Sequence, residues 1–305
     1  MVQAIYQDYS TLSYEAIARS YDALFQCTFW TASIIKYFAQ LEDRPIRFVY
    51  CHHGNSDKGY ENPKILTGIT KQDRALVYGQ HMINLLEKQG HLKDIPPYAV
   101  TGNYRASFYK KYHPLYEEKV KSEVLSKLPK RKYTLLYAPT WNDRESLTSF
   151  FEKIQGLIAC LPDNYNLIIK PHPLLKVKDP ALFFASMPDP LPKGTVSIED
   201  FPCIYPLLDA VDGYIGDFSS IGYDMLFFEK PMFFFDKKKS ASTKNLHAFG
   251  IVLPENQEDI YPTIDQHIAS WSKEKKQAQN DLYHLAFGKD LPLEEIKKAV
   301  FSILA

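Results

Sequence analysis

Short apolar runs alternate with polar turns along most of the chain, and their spacing predicts the secondary structure. Runs typical of strands fall at 2–6, 47–51, 75–78, 98–101, 133–138, 165–170 and 196–198, with two more inside 211–236. Apolar residues at intervals of three and four predict helices over 14–40, 81–88, 149–160, 204–208, 264–285 and 293–304. Because strands and helices alternate, the pattern predicts an α/β fold with parallel sheets.

A charged segment divides this alternating pattern into two parts. Residues 116–132 are rich in charge and end in the sequence LPKRK, after which the strand and helix signals resume. We therefore predict one Rossmann-like domain over residues 1–128 and a second over residues 129–290. Residues 291–305 are predicted to form a terminal helix, for which packing back on the first domain is one open arrangement.

Composition narrows the class of protein. The chain has 305 residues, of which 45% are hydrophobic, enough for two cores. Its 36 basic and 36 acidic residues cancel, so no global charge favours nucleic acid as a partner. Cys27, Cys51, Cys160 and Cys203 show no paired spacing, which predicts reduced core residues. With no signal-like start and no membrane-spanning run, we expect a cytoplasmic protein.

The segment 211–236 reads as a strand, a polar turn, a short helix and a phenylalanine-rich strand. The turn Asp217-Phe218-Ser219-Ser220 lies where the helix begins, so Ser219 or Ser220 can cap its free N–H groups. An anion at that position gains roughly 0.3 to 2 kcal/mol from the helix end. The segment therefore predicts a phosphate site. The alternative is that the two serines only cap a core helix.

Three further polar turns follow predicted strands. They are the His52–Gly59 loop, the turn at 140–144 and Lys170-Pro171-His172-Pro173. Because ligands bind at the carboxyl ends of parallel strands, we expect these turns to line one cleft. Lys170 and His172 can stabilise a leaving phosphate, and Thr140 can donate to a phosphate or a base edge.

Several of these residues have competing interpretations. Arg144 fits a phosphate contact, but it can equally pair with a neighbouring carboxylate. Trp141 can stack on a base, although core packing is the more frequent role of a single tryptophan. His53 fits a general base for an acceptor hydroxyl, with His52 as a competitor and a purely structural role as the alternative. Asp57 or Asp217 can orient the imidazole, and the sequence leaves that choice open.

Several familiar chemistries lack their motifs. The chain has no Gly-x-Gly-x-x-Gly, P-loop, His-Glu-x-x-His or Gly-x-Ser-x-Gly motif, which argues against a dehydrogenase, P-loop ATPase, zincin or standard α/β-hydrolase. Asp-x-Asp is missing as well, which argues against a metal-bridged nucleotide-sugar transferase.

Several motifs follow one another along the chain: YAPTW at 137–141, KPHP at 170–173, DFSS at 217–220, Asp224 and KP at 230–231, preceded by His53-Gly54 with Lys58. This ordered set resembles the CDP-glycerol glycerophosphotransferase family of teichoic-acid polymerases. The resemblance implies a GT-B fold, in which two Rossmann-like domains with parallel sheets face each other across a cleft. It also implies a reaction without metal or cofactor. The loop reads HGNSDK where the family usually has HGTPLK.

The predicted site combines these motifs with the strand-end turns. Its catalytic residues are His53, as the general base that the resemblance implies, and His172. The donor nucleotide and phosphate residues are Thr140, Asn142, Arg144, Lys170, His172, Asp217, Ser219 and Ser220. The acceptor-side residues are Gly54, Asn55 and Lys58.

The expected function is transfer of glycerol phosphate, or a related alditol phosphate, from a CDP-linked donor to an acceptor hydroxyl in cell-surface polymer synthesis. CMP would be released, the acceptor would be polymeric or lipid-linked, and peripheral contact with the inner face of the membrane stays open. One alternative is a GT-B glycosyltransferase that uses a CMP- or UDP-sugar in capsule or lipopolysaccharide synthesis. Another is a non-catalytic nucleotide-binding protein of the same fold.

Overall fold

A computed structural model describes residues 13–27, 31–41, 46–55, 68–141, 148–236 and 246–304. The chain forms two compact units. The smaller unit comprises Met1–His53, Gly59–Tyr104 and Phe287–Ala305, and the larger comprises Gly54–Lys58 and Arg105–Ala286.

Among its described residues, the smaller unit contains a parallel sheet of four strands. The strands are β1 (Ala23–Gln26), β2 (Arg47–Cys51), β3 (Arg74–Val77) and β4 (Tyr98–Val100), in the order β1-β2-β3-β4. Its helices are Tyr14–Ser20, Ala32–Leu41, Gln80–Lys88 and Leu293–Ser302. Val49, Leu76 and Ala99 form a cluster with Val300 and Ile303, so the terminal helix packs on this sheet.

The larger unit contains a parallel sheet of six strands in the order β10-β9-β8-β5-β6-β7. The strands are β5 (Tyr133–Ala138), β6 (Tyr165–Ile169), β7 (Thr195–Ser197), β8 (Gly213–Gly216), β9 (Met232–Phe234) and β10 (Ile251–Val252). The helices that follow Tyr104 are Tyr104–Lys111, His113–Glu123, Phe150–Ala159, Pro173–Lys178, Pro180–Ser186, Tyr205–Ala210, Ser220–Met225, Tyr261–Ile268 and Lys273–Phe287. Every residue of β6, β8 and β9 is buried. Strands covered on both faces read as continuous apolar runs, which is why the sequence marked them clearly.

The predicted α/β class with parallel sheets is confirmed, but two long predicted helices are wrong. The predicted helix 14–40 is instead the helix Tyr14–Ser20, strand β1 and the helix Ala32–Leu41. Leu24 and Phe25 fit helical spacing, yet β1 pairs with β2, a contact that helical periodicity does not reveal. The predicted strand 2–6 lies outside the described residues.

The predicted helix 264–285 is likewise two helices. The first ends at Ile268, and the second begins after Ser272, whose hydroxyl accepts a hydrogen bond from the Lys275 N–H at 3.3 Å. Serine is a favoured residue at a helix start because its side chain satisfies a free N–H group.

The charged segment 116–132 is largely helical, since the helix His113–Glu123 covers its first half. The two units divide earlier, between Tyr104 and Arg105. Within the larger unit, the Tyr109 hydroxyl donates to Asp209 at 2.6 Å, which ties the Tyr104–Lys111 helix to the Tyr205–Ala210 helix. The charge of segment 116–132 therefore belongs largely to a helix within the larger unit, and a charged composition by itself does not identify a linker between domains.

Candidate functional site

Three of the predicted turns follow neighbouring strands of the six-stranded sheet. β8, β5 and β6 lie side by side, and all three are parallel. Their carboxyl ends therefore lie at one edge, where they lead into Asp217, Pro139 and Lys170 respectively. This edge is where parallel α/β sheets bind ligands.

Asp217 joins two parts of this edge through one carboxylate oxygen. Its Oδ2 accepts the Thr140 N–H at 3.0 Å and the Ser149 N–H at 3.1 Å. The Asp217 side chain is fully buried. Tyr137 and Tyr214 are buried as well, and their own burial, together with the nearby charge of Asp217, raises their hydroxyl pKa well above the usual value. Asp217 thus fixes the turn geometry from inside the protein. The sequence predicts that Asp217 binds the donor nucleotide or its phosphates. In the structure, its carboxylate accepts hydrogen bonds from backbone N–H groups.

The turn after β8 carries the two predicted serines. Ser219 caps the Ser220–Met225 helix, and its Oγ accepts the Ile221 N–H at 3.4 Å. The helix has only six residues, so its macrodipole is small and the hydroxyl groups matter more. A Cβ atom at Gly222 would lie 2.5 Å from a methyl carbon of Leu246. Close packing against the core therefore accounts for a glycine at this position.

The turn after β6 carries the two predicted cationic or donor side chains. Lys170 Nζ donates to the Glu199 carbonyl at 2.9 Å, and burial lowers the pKa of its ammonium group. His172 Nδ1 accepts the Leu174 N–H at 3.2 Å. Because Nδ1 accepts, the ring proton resides on Nε2, which is a hydrogen-bond donor.

Trp141 lies beside this turn, and its ring is partly exposed. The ring centroids of Trp141 and His172 are 6.2 Å apart, and Lys178 Nζ lies 4.3 Å from the Trp141 centroid. Trp141 also packs against the main core of the larger unit. Its indole therefore serves the core and borders the turn of His172 at the same time.

Two acceptor-side residues belong to the larger unit. A Cβ atom at Gly54 would lie 2.5 Å from Ser220 Cβ, so only glycine allows this approach without rearrangement. The Asn55 side chain is fully buried, and its Nδ2 donates to the Ala286 carbonyl at 3.0 Å. Asn55 therefore anchors the loop.

The two adjacent histidines have different environments. Burial, and secondly the neighbouring His53, lower the pKa of His52 to about 3, and its ring packs on Tyr50 at 4.5 Å between centroids. The His52 carbonyl accepts the Tyr78 hydroxyl at 2.8 Å. His53, by contrast, has an exposed side chain. A base with so low a pKa is weak, which argues against His52 as the general base.

Several predicted residues lie outside the described part of the chain. These are Asp57, Lys58, Asn142 and Arg144. Within the residues that the structure does describe, no cluster of three or more His, Cys, Asp or Glu side chains fits a metal ion.

One cluster near this edge was missed by the sequence analysis. Arg105 Nη2 donates to the buried carboxylate of Asp224 at 2.7 Å, and the Tyr205 hydroxyl donates to the same oxygen at 2.8 Å. Asp224 had been noted only as part of a motif. The polar residues that follow β4 could have pointed to Arg105, since they too follow the end of a strand.

Two parallel α/β sheets, one of which carries hydroxyl groups, a lysine and a histidine at adjoining strand ends, fit the GT-B fold class. Residues 71–245 match the sequence model of the family described as CDP-Glycerol:Poly(glycerophosphate) glycerophosphotransferase. The match covers more than half of the chain, and the chain belongs to this family. It is therefore a transferase of the glycerophosphotransferase type, as the ordered motifs predicted.

Solved structures resemble the chain in fold. The wall teichoic acid polymerase TagF matches with a TM-score of 0.62 and 12% identity, over 92% of this chain and 73% of that chain. MnaA from S. aureus, in a structure with UDP, matches with a TM-score of 0.59 and 16% identity, over 96% and 80%. The N-terminal domain of Candida albicans trehalose-6-phosphate phosphatase matches with a TM-score of 0.51 and 11% identity, over 95% and 72%.

No curated protein matches the sequence significantly. In the described part of the chain, no helix combines the length and apolar character needed to cross a membrane.

Proposed function

We propose that this chain transfers glycerol phosphate, or a related alditol phosphate, from a CDP-linked donor to an acceptor hydroxyl and releases CMP. The observation that carries the proposal is the shared edge of β8, β5 and β6, where Ser219, Thr140, Lys170 and His172 follow adjoining strands. The family description supports the donor class. Matching structures of TagF soaked with CDPG and of MnaA with UDP further support a nucleotide-activated donor.

Lys170 and His172 serve the donor in this proposal. The ammonium group of Lys170 and the Nε2–H of His172 stabilise the negative charge that builds on the departing CMP phosphate. Ser219, Ser220 and Thr140 contribute hydroxyl donors. Asn142 and Arg144 are further candidates from the sequence for binding the donor nucleotide or its phosphates. Asp217 acts through Thr140 and Ser149 by holding their backbone N–H groups.

His53 serves the acceptor. Its exposed imidazole takes the proton of the acceptor hydroxyl, and the oxygen attacks the phosphorus that bears glycerol. The new P–O bond forms as the bond to the bridging oxygen breaks, and the electron pair leaves with CMP. Lys58 is a further acceptor-side candidate, while Gly54 and Asn55 position the loop. No step in this scheme requires a cofactor or metal.

The acceptor in this proposal is a glycerophosphate polymer or its lipid-linked primer, in keeping with the family description. We place the reaction in the cytoplasm, with peripheral contact at the membrane when the acceptor is lipid-linked. The four cysteines are free thiols, which fits a reducing compartment. Cys27 is exposed, so it is not the core residue that its spacing suggested.

Phosphorus NMR of a reaction with CDP-glycerol and a poly(glycerophosphate) acceptor tests the proposal. We expect CMP and new phosphodiester signals to increase together. A matched reaction with UDP-sugars should give no product. Turnover of a UDP-sugar without new phosphodiester would instead identify a glycosyltransferase, and binding of CDP-glycerol without turnover of any acceptor would identify a nucleotide-binding protein.

A further inference from the structure

A buried ion pair lies next to the serine turn of the larger unit. Arg105 Nη2 and Asp224 Oδ1 are 2.7 Å apart, and the Asp224 side chain is only 1% exposed, whereas that of Arg105 is 23% exposed. Burial raises the pKa of Asp224, and the neighbouring Arg105 opposes that rise. The carboxylate end of the pair is thus enclosed, whereas the Arg105 side chain is partly exposed.

Besides Asp224, one further residue, Tyr205, holds this pair in place. Tyr205 donates its hydroxyl to the same Asp224 oxygen at 2.8 Å, and Arg105 Cζ lies 6.0 Å from the centroid of the Tyr205 ring. A planar guanidinium fixed by a carboxylate and a ring loses little freedom when it binds a further anion. Asp224 and Tyr205 are therefore suited to orient Arg105.

The position of Arg105 relates it to the proposed phosphate turn. A Cβ atom built on Gly54 would lie 2.6 Å from Ser220 Oγ and 3.9 Å from Arg105 Nη2. These three residues all belong to the larger unit. The guanidinium and the Ser220 hydroxyl thus border the same point of the backbone, at the residue directly after His53 in the chain.

We infer that Arg105 binds the phosphoryl group that is transferred, and that Asp224 and Tyr205 are its positioning residues. This inference rests on the proposed function. Lys170 and His172 follow β6 and are assigned to the nucleotide phosphate, whereas Arg105 and Ser220 lie by the residue that follows His53. Arginine matches phosphate because its N–H groups form paired hydrogen bonds with two phosphate oxygens.

Comparing CMP with CDP isolates this contact, because only CDP carries a second phosphate in the place of the transferred group. Calorimetry on the wild-type chain should show tighter binding of CDP than of CMP. In Arg105→Gln, CDP affinity should fall by about 10- to 100-fold, the usual range for a lost charged hydrogen bond, and CMP affinity should change by less than about threefold.

Further variants separate a binding role from a purely structural one. The double variant R105Q/D224N removes the buried charge together with its partner, so it guards against misfolding, and it should show the same selective loss for CDP. Arg105→Lys should restore part of the CDP affinity. Tyr205→Phe should weaken CDP binding to a smaller extent, again with CMP little affected.

Arg131 provides a matched control in the same unit. It is a largely buried arginine whose Nη1 donates to the Tyr165 carbonyl at 2.5 Å and whose Nη2 lies 3.5 Å from Asp163. Arg131→Gln should alter the binding of CMP and CDP equally, if at all.

Each result decides the inference. Equal losses of CMP and CDP affinity in R105Q/D224N, or no loss of either, would overturn the role of Arg105 while leaving the proposed function intact. A wild-type chain that binds CDP no more tightly than CMP would also overturn it. A wild-type chain that binds neither nucleotide would remove both the inference and the proposed function.

Discussion

The two sheets of this protein differ in the burial of their strands and in the hydrogen bonds that hold the turns at their ends. In the six-stranded sheet, β6 and β8 are buried along their full length, and Asp217 ties the turn after β5 to the turn after β8. In the four-stranded sheet, β1 lies at one end of the order of described strands, Phe25 on it is 47% exposed, and β2 leads to the exposed His53. The proposed donor residues all belong to the larger unit, whereas the proposed base, His53, belongs to the smaller one.

The largest expected effect comes from the proposed base. His53→Ala should lower kcat by roughly 10² to 10⁴-fold, which is the usual contribution of general base catalysis. CDP binding measured by calorimetry should stay close to the wild-type value, because the donor groups lie in the larger unit. Normal turnover in a folded His53→Ala protein would remove this residue from the mechanism.

A substitution among the proposed donor-binding residues should affect CDP binding, which His53→Ala leaves close to the wild-type value. Lys170→Ala should weaken CDP binding by about 10- to 100-fold through loss of a charged hydrogen bond. Lys178→Ala is a suitable control, since its ammonium group lies over Trp141. Equal CDP affinity in the Lys170→Ala and wild-type proteins would contradict the donor assignment.

The same lysine predicts a pH effect. Burial lowers the pKa of Lys170, so its ammonium group loses the proton at a lower pH than an ordinary lysine. Donor affinity should therefore begin to fall on the alkaline side before the ordinary lysine range. In Lys170→Arg the charge persists, and the decline in CDP affinity should move to higher pH.

A substitution at Asp217 tests how much its buried carboxylate contributes to the stability of the larger unit. Asp217→Ala leaves the N–H groups of Thr140 and Ser149 without their acceptor, which should lower the free energy of unfolding by roughly 2 to 5 kcal/mol. Asp212 also accepts a backbone N–H, from Thr134 at 2.7 Å, but it is exposed. Asp212→Ala should therefore have a much smaller effect in urea titrations, and equal effects would argue against the buried anchor.

A further effect concerns His52 of the smaller unit and its response to acidic pH. The pKa of His52 is about 3 in the folded chain, well below the ordinary value, so protons bind the unfolded chain preferentially between those two values. The free energy of unfolding should fall as pH decreases through that window, by up to about 1.4 kcal/mol per pH unit. His52→Gln should flatten this dependence, and an unchanged acid limb would contradict the burial of a neutral imidazole.

The contrast between the sheets also explains what the sequence could predict. β5, β6 and β8 are local apolar runs bounded by turns, and the periodicity predicted them within a residue or two. β1 becomes a strand only by pairing with β2, and its own residues fit helical spacing equally well. Local pattern therefore suffices for largely buried strands and fails for β1, none of whose residues is buried.

The candidate site shows the same limit. Residue types and their position after strands indicated Lys170, His172 and Ser219. The pairing of Arg105 with Asp224 joins residues 119 positions apart, and the bond from Asn55 to Ala286 joins residues 231 apart. Such contacts arise from the tertiary fold, so neither periodicity nor motif spacing could assign Asn55 and Asp217 their anchoring roles.

Calorimetry with CDP-glycerol and a UDP-sugar shows most directly whether the chain takes a CDP-linked alditol as its donor. We expect selective binding of CDP-glycerol that weakens in Lys170→Ala and persists in His53→Ala. Preferential binding of the UDP-sugar, or donor affinity that depends on His53 and not on Lys170, would contradict it.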